Sequence, residues 1–397
     1  MSARTVDWQI HPREADLSRV YDPVSLWSSL VLVERRNLPD SWIVTGPASA
    51  LSVFEPGMGC VLDREGDQVT SGRVRSIKRR SETTERGTTD LMTVAFVSDL
   101  ARLNGRVIFP DPTHQLTEVR SHFPDAKTHD QRSGAIEDLI LHYVDVSMGP
   151  SALVNRRQPR LRLPLSGGRG GSTTVTARND DLGVLVHDLA EAGGLVVNVR
   201  HAEPGPWLDL VIEPERDLSA DVRFGSPESG AVGLITDWDY ELEEPMLTRA
   251  YVAGDGEMAG RWYLQIIDAD AEDLWKTIDE TLVDQNSAGS QDELLRGGQK
   301  ALAEGAGPTR VAFTPVLGPD TEYRRDVRIG DVVGYDLPGL DPGKDAIRQV
   351  TTTVTNNKGT ATETVAVVVG TPDAQESRSQ RKTASALRGI TVIQGSK

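Results

Sequence analysis

Apolar residues in this chain alternate with polar ones over short runs, and glycine or proline marks the gaps between them. From Ser28 to Phe109 the runs around Leu30-Val31-Leu32-Val33, Ser71 to Ile77 and Leu91 to Val97 predict β-strands. Gly46-Pro47, Glu55-Pro56-Gly57 and Glu65-Gly66-Asp67 predict the turns between them. Apolar positions Val69, Val74 and Ile77 alternate imperfectly, and Gly72 within that run predicts a bulge.

The period changes after residue 110. Asp111-Pro112 and Phe123-Pro124-Asp125 predict a long loop. Ile136, Leu139, Ile140, Tyr143 and Val144 then share one helical stripe, which predicts a helix over 133–146 with Ser133 as N-cap and Gly149-Pro150 as its stop. A second helix over 181–192 buries Leu182, Leu185, Val186 and Leu189, is capped by one of Asn179, Asp180 or Asp181, and ends at Gly193-Gly194. Strands come next at 195–199, 207–212, 232–240, 248–253 and 261–267. Residues 271–284 and 291–304 read as two helices, the first with Leu274, Ile278 and Leu282 on its apolar face. Strands return at 310–315, 332–335, 347–354 and 362–369, the last two joined at Asn357-Lys358-Gly359. Residues 371–397 are polar and charged and read as an extended tail.

Composition narrows what such a chain does. With 397 residues, several domains are expected. A hydrophobic content of 38% builds cores, but runs such as Val365 to Val369 are far too short to span a membrane as a helix. Residues 1–12 lack the apolar stretch of a secretory signal. The net charge of -16 disfavours tight binding to nucleic acid, although Lys78-Arg79-Arg80 is a local basic cluster. Cys60, the sole cysteine, excludes an intrachain disulfide and any multi-cysteine zinc site, and its apolar neighbours predict burial.

Candidate chemistry is sparse. Asp237, Asp239 and Glu241 alternate on a strand beside Trp238 and Tyr240, which would suit glycoside hydrolysis only if two carboxylates faced each other across a substrate. The plainer reading is a solvated acidic face with both aromatic residues packed inward. His114, His122 and His129 fall in one loop without metal-ligand spacing. His142 and His187 read as ordinary residues of the two helices. Gly167-Gly168-Arg169-Gly170-Gly171 lacks the strand, helix and Lys-Ser/Thr of a phosphate loop and reads as a flexible loop. The acidic run from Asp268 to Asp273 fits a helix N-terminus better than a calcium loop. No catalytic, cofactor or metal residue is expected.

Three stretches together resemble a known family: Leu30 to Asn37 with Pro39-Asp40-Ser41-Trp42; Ser71-Gly72-Arg73-Val74; and the segment 271–335, which ends in Tyr323-Arg324-Arg325-Asp326-Val327-Arg328-Ile329-Gly330-Asp331-Val332-Val333. The order resembles the baseplate hub, or minor tail, proteins of long-tailed phages that infect actinobacteria, over most of residues 15–370. The resemblance implies a mainly β, α+β chain with two tail-tube-like β-barrels and inserted α/β modules. The expected segments are a first barrel over 1–110, completed by strands within 215–268; an inserted module over 111–214; a helical segment over 269–308; second-barrel strands over 309–370; and the tail 371–397. It implies a non-enzymatic homotrimer in the virion, made in the host cytoplasm, whose pseudo-sixfold ring joins the tail tube to the tip and passes DNA at ejection. Expected partners are the distal tail or tail-tube ring, the tape-measure protein and a tip or fibre protein docked on 371–397. Hubs that carry a cell-wall-degrading domain place it after the barrels, where this sequence leaves no room. The alternatives are a cell-wall glycosidase and a carbohydrate- or receptor-binding protein using Trp207, Trp238 or Trp262.

Overall fold

A computed structural model describes residues 4–84, 87–114, 129–202, 205–225, 231, 233–256, 260–285, 291–307, 309–317, 321–357 and 359–370. The first strands are β1 (Arg4–Thr5), β2 (Trp8–Arg13), β3 (Ser29–Arg35), β4 (Ser41–Pro47), β5 (Gly59–Arg64), β6 (Asp67–Thr84) and β7 (Gly87–Ser98), with a one-turn helix α1 (Ala48–Leu51) after β4. Then come β8 (Asp130–Ala135), α2 (Ile136–Met148), β9 (Leu161–Arg162), β10 (Ser172–Ala177), α3 (Leu182–Ala192), β11 (Leu195–Ala202), β12 (Trp207–Pro214) and β13 (Arg223–Gly225). The chain continues through β14 (Gly233–Leu242), β15 (Arg249–Ala253), β16 (Tyr263–Ile267), α4 (Ala269–Trp275), β17 (Glu280–Asp284) and α5 (Gln291–Gly305). It closes with β18 (Thr309–Val316), β19 (Val332–Asp336), β20 (Gly343–Asn357) and β21 (Thr360–Gly370).

The molecule is mainly β, in an α+β arrangement built on a large mixed sheet. Thirteen strands run in the order β1-β21-β18-β14-β13-β19-β20-β3-β4-β7-β6-β5-β2. Among the described residues two compact units divide the chain: one within 4–236 with 314–369, the other within 237–313. The chain leaves the first unit along β14 and re-enters it along β18.

In the first unit, strict alternation decides which side of each strand is buried. Leu30, Leu32 and Glu34 of β3 and Trp42 and Val44 of β4 point inward, and their neighbours do not. Trp42 stacks on Phe96 at 5.3 Å between ring centres, and Phe54 meets Phe96 edge-on at 5.0 Å. A second core in this unit joins α2 and α3 to β11 and β12 through Leu139, Ile140, Tyr143, Val186, Val197 and Leu210. In the second unit, β16-β15-β17 form a three-stranded sheet with α5 against one face. Its core is Val252 with Leu294, joined by Ile266 and Val283.

Several expectations are corrected. Ser133 lies in β8 and caps nothing; α2 starts three residues later after Ala135, because 130–135 pair with β10 instead. The helix expected over 271–284 splits. Lys276 takes a left-handed conformation (φ 58°) that ends α4, and Thr281 to Val283 enter β17 parallel to β15. Gly72 is not a bulge; the β6–β7 register slips later, between Val74 and Ser76. A Cβ on Gly72 would lie 2.1 Å from the Val97 carbonyl and 2.6 Å from the Trp42 ring, so glycine is there to let the indole lie on the backbone. Gly46-Pro47 closes β4 and leads directly into α1 rather than forming a turn. The second helix is as read, with Asp181 accepting hydrogen bonds from the Gly183 and Val184 amides.

Candidate functional site

Two of the three sequence stretches, 30–42 and the end of 271–335, line one charged cavity of about 610 Å³ in the first unit, and the third, at Ser71, bonds the strand β11 that forms part of its wall. β3 ends with Glu34 facing inward and 5% exposed. The β3–β4 turn needs a left-handed residue, which Asn37 supplies at φ 54°. Its side chain then clasps β11, donating to the Leu195 carbonyl at 2.9 Å and accepting from the Val197 amide at 2.8 Å. Farther along β11, the His201 amide donates to Ser71 Oγ at 2.9 Å. The sheet and the helical layer are therefore pinned together by two polar side chains from the quoted stretches.

Asp40 comes after the turn and is buried. It accepts from the Arg35 amide and from Thr70 Oγ1, both at 3.0 Å, and its own amide donates to Ser98 Oγ at 2.9 Å. The segment before β19 supplies the opposite wall. Arg324, held at φ 74°, donates to Glu34 at 2.5 Å and lies over the rings of Tyr323 and Trp8. Trp8 in turn donates to Glu363 at 3.0 Å, and Glu363 also accepts from Arg64.

Burial sets the electrostatics of this cluster. Desolvation pushes the Glu34 carboxyl up, against the opposing pull of Arg324. Burial and then the charge of Glu34 push Asp40 up to about 7. Burial, with Glu34 beside it, also pushes the Tyr323 phenol up. Burial works against the Arg324 charge, but Glu34 holds the guanidinium above its ordinary value.

Two further carboxylates are buried elsewhere in the first unit. Asp99 is gripped by Arg13 through two bonds of 2.8 and 3.0 Å, by Arg102 at 2.8 Å and by Ser71 at 2.8 Å. Burial raises its pKa, but the two guanidiniums more than offset this and hold it down at about 2. Glu137, in the first turn of α2, is held by the glycine-rich loop. Its carboxylate accepts from the Gly167 and Arg169 amides, each at 3.0 Å, and from the Arg169 side chain. The loop read as flexible thus wraps an internal anion. These bonds, the Arg169 side chain first, hold the carboxyl down at about 2.

The candidates for chemistry named from the sequence stay apart. Asp237 and Asp239 are exposed on β14, with Glu241 half-buried on the same strand. Trp238 and Tyr240 do not pack inward as expected; they are 43% and 38% exposed. His122 lies outside the described residues. Among the described residues no cluster of three or more His, Cys, Asp or Glu is placed to hold a metal ion. His142 bonds Asp130 at 3.1 Å, and His187 bonds the Asn37 carbonyl at 3.2 Å. Cys60 is fully buried, and burial pushes its thiol well up. Asp268 caps α4 by accepting from the Ala271 amide at 3.0 Å. No helix among the described residues is long and apolar enough to cross a membrane. Glu34, Asp40, Ser71 and Arg324 all lie in the quoted stretches, yet their sequence alone assigns them no site. The signal was there in Glu34, an acidic residue at a core-facing position of an alternating strand.

Residues 7–371 match the family described as Siphovirus ReqiPepy6 Gp37-like protein. None of the curated proteins matches the chain. Among solved structures, the fold is similar to prophage tail protein gp18 from Listeria monocytogenes EGD-e, with a TM-score of 0.52 at 11% identity over 96% of this chain and 99% of that one. It is also similar to the 43 kDa tail protein of prophage MuSo2 from Shewanella oneidensis, with a TM-score of 0.50 at 12% identity over 90% of this chain and 98% of that one. At such identities the likeness is one of fold.

Proposed function

The chain belongs to the Siphovirus Gp37-like family, and from that premise we propose that it is a structural hub at the distal end of a phage tail. In this reading it is a virion protein, made in the cytoplasm of an actinobacterial host, with no catalytic role. Three copies form a pseudo-sixfold ring that joins the tail tube to the tip and passes DNA at ejection. The tail-tube ring, the tape-measure protein and a tip or fibre protein docked on residues 371–397 are its partners. Each copy contributes two tail-tube-like barrels, one from 1–110 with strands from 215–268 and one from 309–370, with 111–214 and 269–308 as inserted modules.

The observation that carries the reading is the agreement in fold, end to end, with a prophage tail protein. Its test is the solution mass of the purified chain by light scattering at micromolar concentration. A mass about three times 43.2 kDa is expected; a stable monomer that also fails to join isolated tail tubes would sink it.

A second reading, a glycan-binding tail protein, draws on one observation: Trp207, Trp238 and Trp262 are 40%, 43% and 59% exposed. Binding of the isolated chain to host cell walls, lost on Trp262→Ala, would favour it.

A further inference from the structure

The cavity described above has a surplus of cations. Its lining holds six arginines against five acids, Glu34, Asp40, Glu65, Asp67 and Glu322, and most of these acids are answered within the fold. Glu34 has Arg324, Glu65 has Arg64, and Glu322 has Arg325. Asp40 accepts two hydrogen bonds and carries a proton up to about neutral pH. Arg35, Arg200 and Arg328 also line the cavity. Arg35 donates to the Pro39 carbonyl at 3.4 Å and to Ser41 Oγ at 3.2 Å, neither of which carries charge.

The other two guanidiniums stand on rigid supports. Arg200 is the exposed position of β11 between buried Val199 and His201, on the strand that Asn37 and Ser71 clasp. Arg328 sits where its own amide donates to Asp331 at 2.6 Å, and Asp331 is 3% exposed and paired with Arg216. The backbone at both positions is therefore fixed, so an arriving anion has only the arginine side chains to order. The local surplus is also opposite in sign to the chain's net charge of -16. A volume of about 610 Å³ admits several residues of peptide.

We propose that this cavity is a docking site for an acidic peptide segment of a partner protein, with Arg35, Arg200 and Arg328 taking its carboxylates by charge-assisted hydrogen bonds. The proposal rests on the hub reading only for the idea that the partner is another tail protein. The carboxylate chemistry stands on the cavity itself.

The test uses the full chain and a fluorescently labelled hexaglutamate peptide as probe, followed by anisotropy. Expected is saturable binding that weakens steeply toward about 0.3 M salt. It should weaken at least tenfold in Arg200→Ser/Arg328→Ser and be partly restored by Arg200→Lys/Arg328→Lys. Arg79→Ser/Arg80→Ser, on exposed β6, should leave it unchanged. Absence of binding, or loss in the Arg79/Arg80 variant with retention in the Arg200/Arg328 variant, overturns the proposal. Citrate competing as well as the peptide would also overturn it, in favour of a small-anion site. Arg200 and Arg328 are exposed, so folding is not at risk, and thermal melts of each variant check this. A trimer that ignores the peptide rejects the cavity and keeps the hub; a monomer that binds the peptide but fails to join isolated tail tubes does the reverse.

Discussion

Glu34 and Asp40 show what a residue-level reading reaches and where it stops. Alternation along β3 places Glu34 on the buried side, and the sequence alone makes that an anomaly that needs a partner. The partner, Arg324, lies 290 positions away, and no local pattern announces it. Asp40 carries the sharper consequence. Its folded carboxyl sits at about 7, above the ordinary value of 3.8. A carboxyl raised by folding contributes stability that is complete below the unfolded value and is lost as pH rises through the folded one. Asp40 should therefore cost the fold on the order of a few kcal/mol between about pH 4 and pH 7. Asp40→Asn should flatten that part of the profile, as read from urea midpoints at about pH 4.5 and pH 7.5. Equal falls in the variant and the parent would rule out Asp40 as the source. Asp99 acts in the opposite sense: held at about 2, it loses its contribution only as pH falls below about 4.

At the scale of elements, strands with one buried face were legible because their period of two is unmistakable. Strands β3, β4 and β7, and β11, β12, β21 and β20 from Val350 onward, obey it. Elements decided by tertiary pairing were not. β8 carries Ser133 and Gly134, residues of poor strand propensity, and exists because β10 lies beside it. β17 reads as the end of a helix because Leu274, Ile278 and Leu282 fit a helical stripe. Lys276 breaks that stripe, and β15 captures residues 280–284 as its parallel neighbour. Gly72 gives the most direct test at this scale. Its backbone carries the Trp42 indole, and a methyl group would meet a carbonyl rather than a movable side chain. Gly72→Ala should therefore destabilise the first unit by about 3 kcal/mol, the upper part of the usual range for overpacking. Chemical denaturation would measure it; a loss under about 1 kcal/mol would mean that the β6–β7 ladder shifts freely around Gly72, against the in-register pairing of Gly72 to Val74 with Ser98 to Phe96.

The whole molecule is governed by where its charge lies. Residues 237–313 hold 17 of the 59 Asp and Glu residues but only 6 of the 43 Lys and Arg, so this segment carries most of the excess. That concentration is visible in the sequence once the unit boundaries are known, and those boundaries come from the paired exits along β14 and β18, not from composition. Three copies of a chain with a net charge of -16 repel one another at every separation within a Debye length. The proposed ring must hold together by apolar and backbone contacts that exceed this repulsion. Its assembly should then strengthen with salt, opposite to the salt response expected of the arginine-lined cavity. Sedimentation of the purified chain at about 0.02 M and about 0.3 M salt separates the two effects. A trimer fraction that rises with salt supports contacts made despite the charge. A fraction that falls would mean that ion pairs cross the interface, and the exposed Arg79 and Arg80 of β6 would be the first cations to replace.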